Sequence, residues 1–119
     1  FADVIHIASD TGKDVRVHVA TPAEWRRTID HLLEMYRAID FGGAEAIALA
    51  TDPLSSRLVQ VRIRWALRNR AQAPLYEFDA MYTLARHAEI FRITAIAHNE
   101  MVRYRRCLAE INAARGQTQ

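Results

Sequence analysis

Residues 58–100 read LVQVRIRWALRNRAQAPLYEFDAMYTLARHAEIFRITAIAHNE. Breaks at residues 69–74 and 86–89 divide this stretch into three runs. Each run alternates apolar with polar residues and is rich in β-branched and aromatic side chains, which is the pattern of a half-buried strand. The runs predict strands over about 57–68, 75–85 and 90–98, joined as an antiparallel meander. Alternation assigns Val59, Val61, Ile63, Trp65, Leu67, Tyr76, Phe78, Ala80, Tyr82 and Leu84 to one face, continued by Phe91, Ile93, Ala95 and Ala97. The other face carries Arg62, Arg64, Glu77, Asp79, Arg92 and His98. A symmetric first hairpin sets Arg64 opposite Asp79, and the second sets Glu77 near His98 and Asp79 near Ile96. A sheet of this size needs a cover over its apolar face.

The flanking segments supply that cover. Upstream, residues 2–8 and 15–19 read as a hairpin of two short strands, turned through residues 9–14 with Gly12 available for a positive φ. In register, Val4, His6, Ala8, Val15, Val17 and Val19 share one face, and Ile5, Ile7, Arg16 and His18 share the other. Thr21-Pro22-Ala23-Glu24 is a helix start: Thr21 at the N-cap, Pro22 at the first helical position and Glu24 at the capping-box position. Its stripe is Trp25, Ile29, Leu32, Leu33, Tyr36 and Ile39. Gly42-Gly43 is read as the end of that helix. Residues 44–51 read as a further strand stopped by Asp52-Pro53. From Asn99 the period turns helical, with Met101, Tyr104, Leu108 and Ile111 as a stripe and Gly116 just past the end. The order strand, strand, helix, four strands, helix is α+β: an antiparallel sheet packed on helices within one domain, residues 1–119.

Composition excludes several functions. The 119 residues carry a net charge of +2, and the basic residues, all Arg but Lys13, are interspersed with acids. That is no nucleic-acid footprint. No apolar run is long enough to cross a membrane and no secretory signal pattern is present, so the expected location is cytoplasmic. Cys107 is the sole cysteine. It permits no internal disulfide and reads as a bystander thiol. The five histidines show no H-x-H, H-x-x-x-H or H-E-x-x-H spacing, so neither a metal nor a cofactor is expected.

The patterns V-x-V-R-x-R-W-x-L, L-Y-x-F-D-A-x-Y-T-L and F-R-I-T-A-I-A-H-N-E carry a resemblance. So does the preceding V-x-V-x-x-A-T-P-A-E-W-R-x-T-I-D. Together they resemble the nuclear transport factor 2-like (cystatin-like) superfamily, and within it the SnoaL-like branch of small bacterial proteins, over nearly the whole chain. The resemblance implies a strongly curved sheet wrapped around helices into a cone with a pocket, and a homodimer through the sheet face. Members usually begin with one or two helices that close the cone. Nothing here matches them and the chain opens on Phe1, so the implied domain lacks its N-terminal helical part. The same cone hosts ketosteroid isomerases, cyclases, dehydratases, epoxide hydrolases and non-catalytic modules, so the fold does not transmit a function.

Two functions follow as expectations. In the first, a pocket takes a small apolar or aromatic metabolite and supports cofactor-free acid–base chemistry. His6, Asp79 and His98 are then the candidate bases, and Arg64, Trp65, Tyr76 and Tyr82 the ligand-binding groups. In the second, the chain is a non-catalytic dimeric module whose pocket is plugged by Trp65 and Phe78. A cavity of roughly 300 Å³ or more with at least two convergent polar groups separates them. His98-Asn99-Glu100 has two readings as well: Asn99 capping the last helix with Glu100 in its first turn, or His98 and Glu100 as active groups.

Overall fold

The computed structural model describes residues 5–117. A hairpin of β1 (Ile5–Asp10) and β2 (Val15–Ala20) leads into α1 (Pro22–Ala38). Four long strands follow, β3 (Phe41–Pro53), β4 (Leu58–Asn69), β5 (Pro74–His87) and β6 (Ile90–His98), and then α2 (Glu100–Gln117). They form one curved six-stranded sheet in the order β2-β1-β6-β5-β4-β3. Every neighbouring pair is antiparallel except β1 and β6, which are parallel. The α+β class and the meander are as expected. Of the first predicted strand, residues 2–4 and the face assignment of Val4 lie outside the described residues.

Local chemistry accounts for the elements. Thr21 caps α1: its Oγ1 accepts from the Glu24 N–H and donates to Glu24 Oε1 at 2.9 Å. Gly12 takes a φ of +88° in the first turn. The helix does not end on Gly42-Gly43. Its cap is Ile39, and the left-handed residue is Asp40, with φ +57°. Gly42 and Gly43 lie inside β3, at a bulge between Phe41 and Gly43 in the pairing with β4. At the other end of the chain α2 runs through Gly116 rather than stopping before it.

The short β6 explains where α2 goes. Its pairing with β5 begins at Ala80, so the first part of β5 has no strand on that side. The start of α2 fills the gap. The Asn99 N–H donates to the Asp79 carbonyl, Asn99 Oδ1 accepts from the Asp79 N–H at 2.9 Å, and Arg103 Nη1 donates to the Glu77 carbonyl. Backbone groups left open on a strand edge are thus satisfied. Asn99 therefore spends its side chain on β5. The first helical N–H, that of Glu100, goes to His98 Nδ1 at 3.2 Å.

A second irregularity redirects side chains. Leu84 pairs with Ile93, but Thr83 pairs with Ala95, so Thr94 is an extra residue in β6. Its hydroxyl donates to the Thr83 carbonyl. A one-residue bulge moves every later side chain to the opposite face. His98 consequently pairs with Ala80, and Ile96 with Tyr82, on the inner face toward α1. The expected neighbours Glu77–His98 and Asp79–Ile96 do not form, and Ala95 and Ala97 turn outward.

Among the described residues the core has three buried groups. Ile5, Ile7 and Ala20 pack with Trp25 and Ile96. Ile39, Tyr104 and Cys107 pack with Met35, Tyr36 and Leu75. Leu67, Phe78 and Ala80 pack with Phe41, Trp65 and Tyr82. In the first hairpin the isoleucine face is the buried one, and Val15, Val17 and Val19 are exposed. Along α1, Ile29 and Leu33 fall on the exposed side of the expected stripe.

Candidate functional site

Between α1 and the inner face of the sheet lies a cavity of about 470 Å³. Trp25, Leu32, Met35 and Tyr36 face it from α1. The strands contribute Phe41, Trp65, Leu67, Phe78, Tyr82 and Ile96. Each strand residue has inner-face parity, so the alternation that builds the core also builds the wall. Trp65 and Phe78 line this space and leave it open.

A carboxylate sits in the wall. Glu100, the first residue of α2, is only 8% exposed. Its Oε2 accepts the Tyr36 hydroxyl at 2.6 Å and the Tyr76 hydroxyl at 2.8 Å. These tyrosines come from α1 and β5, so three elements converge on one oxygen. Burial first, and then the charge of Glu100, pushes both tyrosine pKa values far above the ordinary phenol range. Both hydroxyls are firm donors. Beside them Trp65 Nε1 donates to the Tyr82 oxygen at 3.0 Å. This leaves the Tyr82 proton to donate elsewhere.

His98 enters from the end of β6. Burial lowers its pKa, opposed by the Glu100 charge, so the imidazole is neutral near pH 7. Because Nδ1 accepts from the Glu100 N–H, the neutral ring carries its proton on Nε2. Ser9 pairs with His98 across the parallel β1–β6 ladder and also lines the cavity. Its Oγ is buried and has no hydrogen-bond partner among the described residues. His18 and His31 complete the polar lining near Ser9 and Thr28.

The expected site residues divide between two faces. Trp65, Tyr82 and His98 line the cavity, and Tyr76 reaches it through Glu100. Arg64 and Asp79 are paired as expected, with Nη1 to Oδ2 at 3.0 Å, and Arg64 Nε also bonds Glu77 at 2.8 Å. The hydrogen bonds to Glu77 and then Asp79 raise the Arg64 pKa. This cluster is on the outer face, so Arg64, Asp79 and His98 do not converge. His6 is exposed on the outer face of β1. Sequence reasoning had Tyr36 as plain core and passed over Ser9, His18 and His31. Among the described residues no three His, Cys, Asp or Glu side chains assemble a metal-holding group. Burial raises the Cys107 pKa, so its thiol stays protonated.

A family profile described as "NTF2-like protein (DUF6841)" matches residues 2–101. Among solved structures, an NTF-2 like protein of unknown function from Shewanella oneidensis MR-1 aligns with a TM-score of 0.59. Identity is 13%, over 82% of this chain and 74% of that one. At that identity the likeness concerns the fold. A chain from work on de novo design of proteins with diverse pocket structures gives a TM-score of 0.43 at 12% identity, covering 80% of this chain and 73% of that one. No curated protein matches. No helix among the described residues is long and apolar enough to cross a membrane.

Proposed function

We propose, from the premise that this chain belongs to the NTF2-like family DUF6841, that it is a pocket protein of the SnoaL-like type binding a small, largely apolar metabolite. One observation carries this reading: the open cavity of about 470 Å³ whose aromatic and aliphatic walls surround a few converging polar groups. Metabolite pockets have this size and this ratio of apolar wall to polar anchor. Trp65 and Phe78, the plugs of the competing reading, are wall residues of this cavity, which supports the pocket. The acid–base chemistry of the superfamily's isomerases and dehydratases would fall here to Glu100 and His98. Asp79 and His6 face away from the cavity.

The test is a binding screen with a matched blocked variant. Ala44 is exposed at the cavity edge, so Ala44→Trp should fill the opening without disturbing the core. Small aromatic ligands should raise the melting temperature of the wild type and leave that of Ala44→Trp unmoved. Equal responses from both proteins, or none from the wild type, would overturn the pocket reading.

We also propose that the chain is a homodimer through its outer sheet face. Val15, Val17 and Val19 support this, standing 64%, 67% and 48% exposed side by side on the edge strand β2. Light scattering should return twice the 13.6 kDa chain mass. A monomer at high concentration would refute the dimer and leave the pocket standing.

A further inference from the structure

The cavity has an electrostatic asymmetry that the aromatic walls turn into a chemical preference. The chain contains 16 Lys and Arg residues, yet none of them lines the cavity. Among the described residues Glu100 is the lone acidic one lining the cavity, and it is almost fully buried. It makes no ion pair among the described residues. A buried charge normally has a charged partner, because removing it from water alone is costly. Tyr36 and Tyr76 supply hydrogen bonds to Oε2 but no positive charge. Oε1 accepts no hydrogen bond from the described residues.

The surrounding rings favour the missing sign. Tyr36, Phe41, Trp65, Phe78 and Tyr82 line the same space. Aromatic faces attract a cation within about 6 Å, and more strongly when water is excluded. An anionic ligand would meet the Glu100 charge with no Arg or Lys to offset it. A neutral ligand would leave that charge with only the helix N-terminus and the two hydroxyls on Oε2 to balance it.

We infer that the ligand is a cationic amine with an apolar or aromatic body, its ammonium group held at Glu100 Oε1 against the aromatic wall. This inference rests on the pocket reading above and adds the class of ligand to it.

Two isosteric series test it on the intact protein by calorimetry: phenethylamine, phenethyl alcohol and phenylacetate, and tryptamine, tryptophol and indole acetate. In at least one series the amine should bind about tenfold or more tightly than the alcohol, and the carboxylate weakest. Glu100→Gln keeps the shape and an oxygen acceptor for both tyrosines, and it should reduce the amine's advantage to about twofold or less while the alcohol still binds. Alcohols binding as well as amines in both series would overturn the amine inference and leave the pocket reading intact. So would a carboxylate that binds best, or an amine preference that survives Glu100→Gln. Failure of all six compounds to bind would remove both readings. The wild-type series decides the selectivity even if Glu100→Gln does not fold.

Discussion

Gly42→Ala should lower the stability of the fold by about 2–3 kcal/mol, while Gly43→Ala next to it changes stability by less than about 0.5 kcal/mol. A Cβ on Gly42 would lie 2.4 Å from the Asn69 carbonyl oxygen, 2.6 Å from its carbon and 2.7 Å from the Arg70 Cα. These are backbone atoms, and they are held from several sides. Asn69 Oδ1 accepts the N–H groups of Ala71 and Ala73, and the Asn69 N–H donates to the Ala73 carbonyl. The Asn69 carbonyl accepts from Gln72, and the Arg70 N–H donates to Asp40. Retreat from the new methyl group would break part of this turn. A Cβ on Gly43 meets nothing within 4 Å, so that variant controls for the loss of glycine's unfolded-state freedom. Denaturant titration of the two variants gives the difference. Equal midpoints would show that the β3–β4 approach does not require glycine.

The same two glycines mark the limit of what sequence pattern could say. Gly-Gly after a helical stripe looks like a helix C-cap, because glycine tolerates the left-handed region. Here Asp40 takes that conformation, and Gly42 serves a close approach to a hairpin 27 residues further on. Only tertiary contact distinguishes the two uses. The three long strands, the capped helix and the α+β class were legible because each is encoded locally, by period or by cap chemistry.

The register of β6 was not. After Thr94 the chain reads Ala95, Ile96, Ala97, so both parities are apolar and alternation has no preferred face. The bulge settled it and moved His98 from the Arg64–Asp79 face into the cavity. The first hairpin posed the same ambiguity, with isoleucines on one face and valines on the other. Glu100 was legible only as an acid suited to a helix N-terminus. Its convergence with Tyr36, 64 residues away, and Tyr76, 24 away, is created by the fold.

That convergence should make the protein unusually sensitive to alkali. Tyr36 and Tyr76 keep their protons in the native state far above the pH at which a tyrosine in the unfolded chain ionises, about 10. Above that pH the unfolded state has released protons that the native state retains. Stability then falls as pH rises, because its pH slope follows protons bound in the unfolded state minus those bound in the native state. Each fully buried tyrosine would cost about 1.4 kcal/mol per pH unit. Both rings keep some solvent contact, so the pair together should cost about 1–2 kcal/mol between pH 10 and 11. Burial also raises the Tyr82 and Tyr104 pKa values, and these add to the slope. The Tyr36→Phe/Tyr76→Phe double variant should therefore show a shallower alkaline limb rather than a flat one. At neutral pH it should be less stable by about 2–4 kcal/mol, since Glu100 loses two donors while remaining buried. Chemical denaturation at a series of pH values reads both effects. An alkaline slope unchanged in the double variant would show that the hydroxyls ionise freely and that Glu100 does not hold them.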